Sequence, residues 1–286
     1  MITVPDGFGA ILGERAREWR AALPALAAEF CARWHLAPDG DPLTGNVAVV
    51  LPVRRADGHP AALKLTWLDD ETRQEPAALR AWDGRGVVRL LDHDDAGGAL
   101  LLERLDHTRS LDGAPIEEAL AVAGGLLRGL RVPAGPEFRR HEFPDLVAEN
   151  DALGGPLPAA LVERARDLGR ELARGAGGTL VNQDLHYHNV LRGDREPWLM
   201  IDPKPLAGDP EFAVIPLLWN RFGEPAGDRG VRDRFAALCD LGELDVGLAR
   251  GWAFCRAVDT WLWCLDQGLD RMAAAVEAIA RALPPR

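Results

Sequence analysis

Three residues have the type and spacing for phosphoryl-transfer chemistry: Asp184, Asn189 five positions later, and Asp202 at the end of the apolar run Trp198-Leu-Met-Ile201. They lie in the stretch LVNQDLHYHNVLRGDREPWLMIDPKP, from Leu180 to Pro205. One carboxylate near a hydroxyl can accept its proton, and two oxygen donors can share a magnesium ion with substrate phosphates. In kinase-type transfer from ATP the loop Asp takes the proton, while an Asn five residues on and a downstream Asp hold the metal. A lone D-x-x-x-x-N pairing is common, because Asp and Asn are ordinary turn formers. Its surroundings narrow the reading.

Those surroundings are an apolar run, Thr179-Leu-Val181, a polar loop, a turn at Gly193-Asp194, and the second apolar run that delivers Asp202. Further upstream, Ala61-Ala-Leu-Lys-Leu65 reads as a strand carrying Lys64, which needs a partner if buried. Eleven residues later Glu75 opens the helical pattern EPAALRAW, with Pro76 tolerated in the first turn. A strand Lys that contacts ATP phosphates and pairs with a helix Glu is the kinase arrangement. A snorkelling edge-strand lysine is the plainer alternative. Before that strand, Thr44-Gly45-Asn46 precedes the run Val47–Leu51; such a turn brings backbone N–H groups to phosphate oxygens, or is an ordinary hairpin turn.

The segments NQDLHYHNVL, WLMIDPKPLAGDPEF, EPAALRAWDGRGVVRLL and ALLLERL resemble the aminoglycoside and hydroxyurea antibiotic-resistance kinases, of the streptomycin 6-phosphotransferase type. The resemblance spans about residues 60 to 220. It implies an ATP- and magnesium-dependent phosphotransferase, and it favours Glu75 over Glu71 as the partner of Lys64. It also implies that adenine is bound by backbone groups at the link from Glu103 to Leu105. Asn182 and Gln183 depart from the family, which commonly has His and Gly there.

Other polar residues near the loop have weaker readings. His186 and His188 stand two residues apart, but magnesium-phosphate sites favour oxygen, so both read as structural or substrate-side groups. Lys204 could neutralise phosphate or bind a carboxylate. Asp209 reads as a loop-stabilising carboxylate. A serine nucleophile is excluded, since Ser110 is the only serine and no G-x-S-x-G occurs. For the acceptor, Asp259, Trp261, Trp263 and Asp266 share one helical stretch, with Trp219, Asn220 and Arg221 upstream. Carboxylates and aromatic faces suit a polyhydroxylated cation, and tryptophans at this spacing equally suit a core. The acceptor-side set is His186, Trp219, Asp259, Trp263 and Asp266.

At 286 residues, 47% hydrophobic and 27% charged, the chain is long enough for two cores. Its net charge of −11 argues against a nucleic-acid partner, whose affinity would come from Lys/Arg contacts to phosphate. Cys31, Cys239, Cys255 and Cys264 form no metal spacing and are expected to be reduced thiols of a cytoplasmic protein. The opening MITVPD lacks a leader pattern, and no run of about 18 apolar residues suggests a membrane span.

Helical spacing covers 10–36, where Pro24 is expected to split two helices, and then 115–131, 158–175, 229–240, 245–267 and 269–283. Strands are expected at 61–65, 87–91 and 99–103. The expected fold is α+β, bilobal and protein-kinase-like. A strand-rich N-terminal nucleotide-binding lobe covers 1–105, and a mainly helical C-terminal lobe with the catalytic loop and substrate site covers 106–286. The expected partner is a small-molecule acceptor, an aminoglycoside or hydroxyurea, for a monomer or alternatively a dimer. A metabolic amino-sugar or amino-alcohol kinase and a catalytically silent nucleotide-binding module are the rival readings.

Overall fold

The computed structural model describes Phe8, residues 10–224 and residues 227–285. The opening residues MITVPD lie outside the described ones. The chain divides into two compact units, Met1–Thr108 with Arg192–Lys204, and Arg109–Leu191 with Pro205–Arg286.

In the first unit, antiparallel strands lie in the order Ala37–Pro38, Ala48–Arg54, Pro60–Thr66, Ala99–Glu103, Leu90–Asp94, with Leu43–Thr44 also paired to Ala48–Arg54. Successive side chains of a strand point to opposite faces. Ala61, Leu63 and Leu65 therefore share one face and join a core with Val49, Leu51, Val53, Ala99 and Leu101. Lys64 points to the other face, flanked in register by Val50 and Leu100.

The helix Arg17–Arg33 covers the core face with Leu23, Ala27 and Phe30, at helical spacing. Pro24 sits inside this one helix and does not split it. A mid-helix proline forgoes one backbone bond. Here the buried Leu23 and Ala27, on either side of it, outweigh that loss, because packing of an apolar face supplies most helical stability.

Val87-Val88 was expected to open a strand that instead begins at Leu90. Its backbone pairs with the Trp198–Met200 strand: Val88 N–H donates to the Met200 carbonyl and Met200 N–H to the Gly86 carbonyl, both at 2.9 Å. Arg195 adds bonds to the carbonyls of Gly84 and Val87 and to the Glu103 carboxylate. These contacts tie the segment ending in Asp202 to the first unit.

The second unit is mainly helical, with long helices Ile116–Gly129, Ala159–Gly175, Gly227–Gly242, Val246–Gln267 and Asp270–Ala282. Its short helices Leu146–Ala152 and Val214–Trp219 were not anticipated. Asp245 caps the Val246–Gln267 helix by accepting the Leu248 N–H at 2.7 Å, and Gly268, at φ 67°, ends it. At Gly124 an added Cβ would lie 2.4 Å from Leu241 Cβ, so glycine permits the close approach of the Ile116–Gly129 and Gly227–Gly242 helices.

The strand Thr179–Asn182 pairs antiparallel with Pro205–Gly208. Asp209, just beyond, accepts the Gly177 N–H at 2.7 Å and the Trp252 indole N–H at 2.9 Å. That is the loop-stabilising use expected of it. The four cysteines carry no disulfide, and three are buried. Among the described residues no helix is long and apolar enough to cross a membrane.

Candidate active site

In the first unit the site begins with Lys64, a residue only 4% exposed. Its Nζ donates to both Glu75 carboxylate oxygens at 2.7 Å and to Asp202 Oδ1 at 2.5 Å. Glu75, 1% exposed, sits in the first turn of the Glu75–Trp82 helix, ahead of Pro76. Burial alone would push the Lys64 ammonium down; the Asp202 and Glu75 carboxylates outweigh that and raise it. Burial pushes Glu75 up to about 7, against the pull of Lys64 and with Asp202 adding to the rise. Glu71, the competing partner, pairs with Lys204 at 3.3 Å.

Asp202 has φ 50°, in the left-handed region. Only glycine, and occasionally Asn or Asp, visits that region readily. A short polar side chain is thus the type that fits both this backbone and an ionic partner. Thr44, Gly45 and Asn46 are exposed at a hairpin turn closed by Gly45 N–H to the Ala48 carbonyl at 2.9 Å. Glu103 and Leu105 are half-buried, and the Glu103 carboxylate is engaged by Arg195 and by the Arg89 N–H. Its side chain serves the fold, and its backbone N–H donates to the Arg89 carbonyl at 2.9 Å.

In the second unit Asp184 follows the Thr179–Asn182 strand. Its backbone N–H donates to Asn182 Oδ1 at 3.0 Å, and its carbonyl accepts the Asn189 side-chain amide at 3.3 Å. Asn189 uses its amide nitrogen for that bond. His186 Nε2 lies 3.9 Å from Asp184 Oδ1, and His188 Nε2 lies 3.5 Å from Asp112.

Trp219 is half-buried at the end of the Val214–Trp219 helix. Asp259 is half-buried on the Val246–Gln267 helix. Burial first, and Glu149 next, raise its carboxyl to about 6, with Arg256 pulling the other way. Trp263, 44% exposed, and Asp266, also exposed, follow on the same helical face one and two turns on. The Asp266 carboxylate accepts the Gln267 amide at 2.6 Å.

Arg256 escaped the sequence reading. Its guanidinium carbon lies 4.1 Å from the Phe212 ring centroid and 5.9 Å from that of Trp219. An arginine inside the otherwise apolar run Ala253–Val258 was the available signal. His141, also unanticipated, packs against Phe212 at 4.4 Å, and burial lowers it to about 4, Arg256 and Arg139 adding to the shift.

The protein is similar along its length to characterised enzymes. A streptomycin 6-kinase of Streptomyces griseus is 42% identical over 302 aligned positions, covering 99% of this chain and 97% of the relative. A hydroxyurea phosphotransferase of Kitasatospora aureofaciens is 44% identical, covering 95% and 82%. Among solved structures, the choline kinase LicA of Streptococcus pneumoniae superposes with a TM-score of 0.61 at 15% identity, covering 91% of this chain and 99% of that one. That likeness bears on the fold alone, which is protein-kinase-like with a strand-rich N-terminal part and a helical C-terminal part. The family model for aminoglycoside/hydroxyurea antibiotic resistance kinases matches residues 33–268. The chain therefore belongs to the aminoglycoside/hydroxyurea antibiotic resistance kinase family, and is a small-molecule kinase whose family chemistry implies ATP as donor.

Proposed function

We propose that the protein transfers the γ-phosphate of magnesium-ATP to a hydroxyl of an aminoglycoside of the streptomycin type, with hydroxyurea as the second acceptor. The observation that carries the reading is the Lys64 ammonium held by Glu75 and Asp202 on an otherwise apolar strand. A buried cation with two carboxylates costs desolvation that a purely structural role would meet better with apolar side chains. Phosphate binding gives it a use. Residues 1–105 are assigned to nucleotide binding and 106–286 to the catalytic loop and acceptor, with 192–204 returning Asp202 to the first unit.

Lys64 neutralises phosphate oxygens, and Glu75 orients its ammonium. Thr44, Gly45 and Asn46 form the turn assigned to the phosphates, with the Gly45 N–H engaged by the Ala48 carbonyl, and the Glu103–Leu105 link is assigned to the adenine. Asp184 orients the acceptor hydroxyl and takes its proton. The donor types of the two assigned ligands suit magnesium, since Asn189 carries an amide oxygen and Asp202 a carboxylate. When bound, the ion neutralises charge on the transferring phosphoryl group.

The acceptor is met by Asp259 and Trp219, with Trp263 and Asp266 on the helix of Asp259 and His186 beside Asp184. A half-buried carboxylate with an aromatic face suits a guanidinium or ammonium-bearing sugar. Incubation with magnesium-ATP and either streptomycin or hydroxyurea, followed by mass spectrometry of the acceptor, tests the reading. A gain of one phosphoryl group is expected; no gain on either acceptor, with ATP bound, would favour a silent nucleotide-binding module.

A further inference from the structure

One peptide plane in the second unit is gripped at both ends. Its carbonyl belongs to Gln183 and accepts Nη2 of Arg256 at 3.1 Å. Its N–H belongs to Asp184 and donates to Oδ1 of Asn182 at 3.0 Å. The same Arg256 donates from Nη1 to the Phe212 carbonyl at 2.6 Å and lies over the Phe212 ring. Phe212 is itself buried in the turn Pro210–Ala213, and Asn182 is 4% exposed at the end of its strand.

The peptide group is planar, so its orientation sets ψ of Gln183 and φ of Asp184 together. Those two angles fix the direction of the Asp184 Cα–Cβ bond. Arginine suits the task because its planar fork reaches two carbonyls in fixed geometry while stacking on a ring; a lysine ammonium cannot do all three. The arrangement also gives a use to the buried Asn182 amide.

We propose that Arg256 is a positioning residue for phosphoryl transfer. With Asn182 it fixes the Gln183–Asp184 peptide plane and thereby aims the Asp184 carboxylate. This rests on the reading of Asp184 as the base.

The test uses the full chain with magnesium-ATP and streptomycin or hydroxyurea, in the variants Arg256→Met, Arg256→Lys, Asn182→Leu, Asn182→Asp and Asp184→Asn. Arg256→Met and Asn182→Leu should lower kcat about 100-fold, as misaimed catalytic groups do, with KM for ATP changed by no more than about twofold. Arg256→Lys and Asn182→Asp, which each keep one bond, should recover part of the rate. In the Asp184→Asn background, Arg256→Met should cost less than about threefold, because residues that act through one another are not additive. Hydrogen exchange at the Asp184 amide should quicken by about tenfold or more in Arg256→Met without a matching fall in the global unfolding midpoint.

An unchanged kcat in Arg256→Met, beside an inactive Asp184→Asn, would overturn the proposal. So would an equal loss in both backgrounds, or a loss that tracks the unfolding midpoint and is not recovered by lysine. Full turnover in Asp184→Asn would instead defeat the assignment of the base. If neither acceptor turns over, exchange at Asp184 decides: quickening in Arg256→Met upholds the grip, and no change overturns it.

Discussion

Lys64 Nζ lies 2.7 Å from both carboxylate oxygens of Glu75, so one buried ammonium and one buried carboxylate satisfy each other across eleven residues of sequence. Breaking such a pair on one side leaves an uncompensated buried charge, at a cost of about 3–5 kcal/mol. Lys64→Met should lower stability on that scale in urea unfolding, and Glu75→Leu, which leaves Lys64 its Asp202 partner, by less. The double variant should regain much of it, since replacing both partners with apolar groups is often neutral. Turnover should stay lost in the double variant. Recovered turnover would mean that Lys64 does no work on phosphate.

Asp202 donates its left-handed backbone as well as its carboxylate. Asp202→Asn keeps the backbone preference and removes the charge that Lys64 faces. Folding should therefore be retained while turnover falls about 100-fold or more, the scale on which charge-stabilising groups act. Chelation of magnesium should abolish turnover in the parent, and added magnesium should restore it. A parent indifferent to chelator would remove the metal role assigned to Asp202 and Asn189.

Asp259 yields a pH dependence with a definite sign. Its carboxyl stands at about 6 in the fold, above the ordinary 3.8. Between those values the folded state holds a proton that the unfolded chain has lost, so its contribution to stability falls as pH rises through that window and stays lost above it. Asp259→Asn should then raise stability at pH 8 by about 1–3 kcal/mol and leave it unchanged near pH 3. If Asp259 meets a cationic acceptor, the same variant should raise the acceptor KM, and the parent KM should rise as pH falls below about 6. Thermal melting at the two pH values and acceptor kinetics check each half separately.

Much of the first unit was legible because its signals are local. Lys64 stands out as a charge inside an apolar run, Glu75 opens a helix before Pro76, and Asp202 closes the run that starts at Trp198. The long helices of the second unit showed through their periodicity. Pro24 misled because local propensity cannot register the packing of Leu23 and Ala27 beneath the sheet. The Val87-Val88 run reads as a strand equally well whether its partner is Leu102 or Met200; only the chain's return at 198–200 decides. Arg256 and Gln183 are 73 residues apart, and the bond between them involves a backbone carbonyl. No side-chain pattern announces such a contact.

Asp184 is the group assigned to take the proton of the acceptor hydroxyl. The most direct measurement is acceptor-dependent ADP release from magnesium-ATP by the parent and by Asp184→Asn, with ATP affinity measured in both. With streptomycin or hydroxyurea as acceptor, release should fall by about 100- to 10,000-fold in the variant, the range for a lost general base, while ATP affinity holds. Equal release by parent and variant would remove the role of base from Asp184.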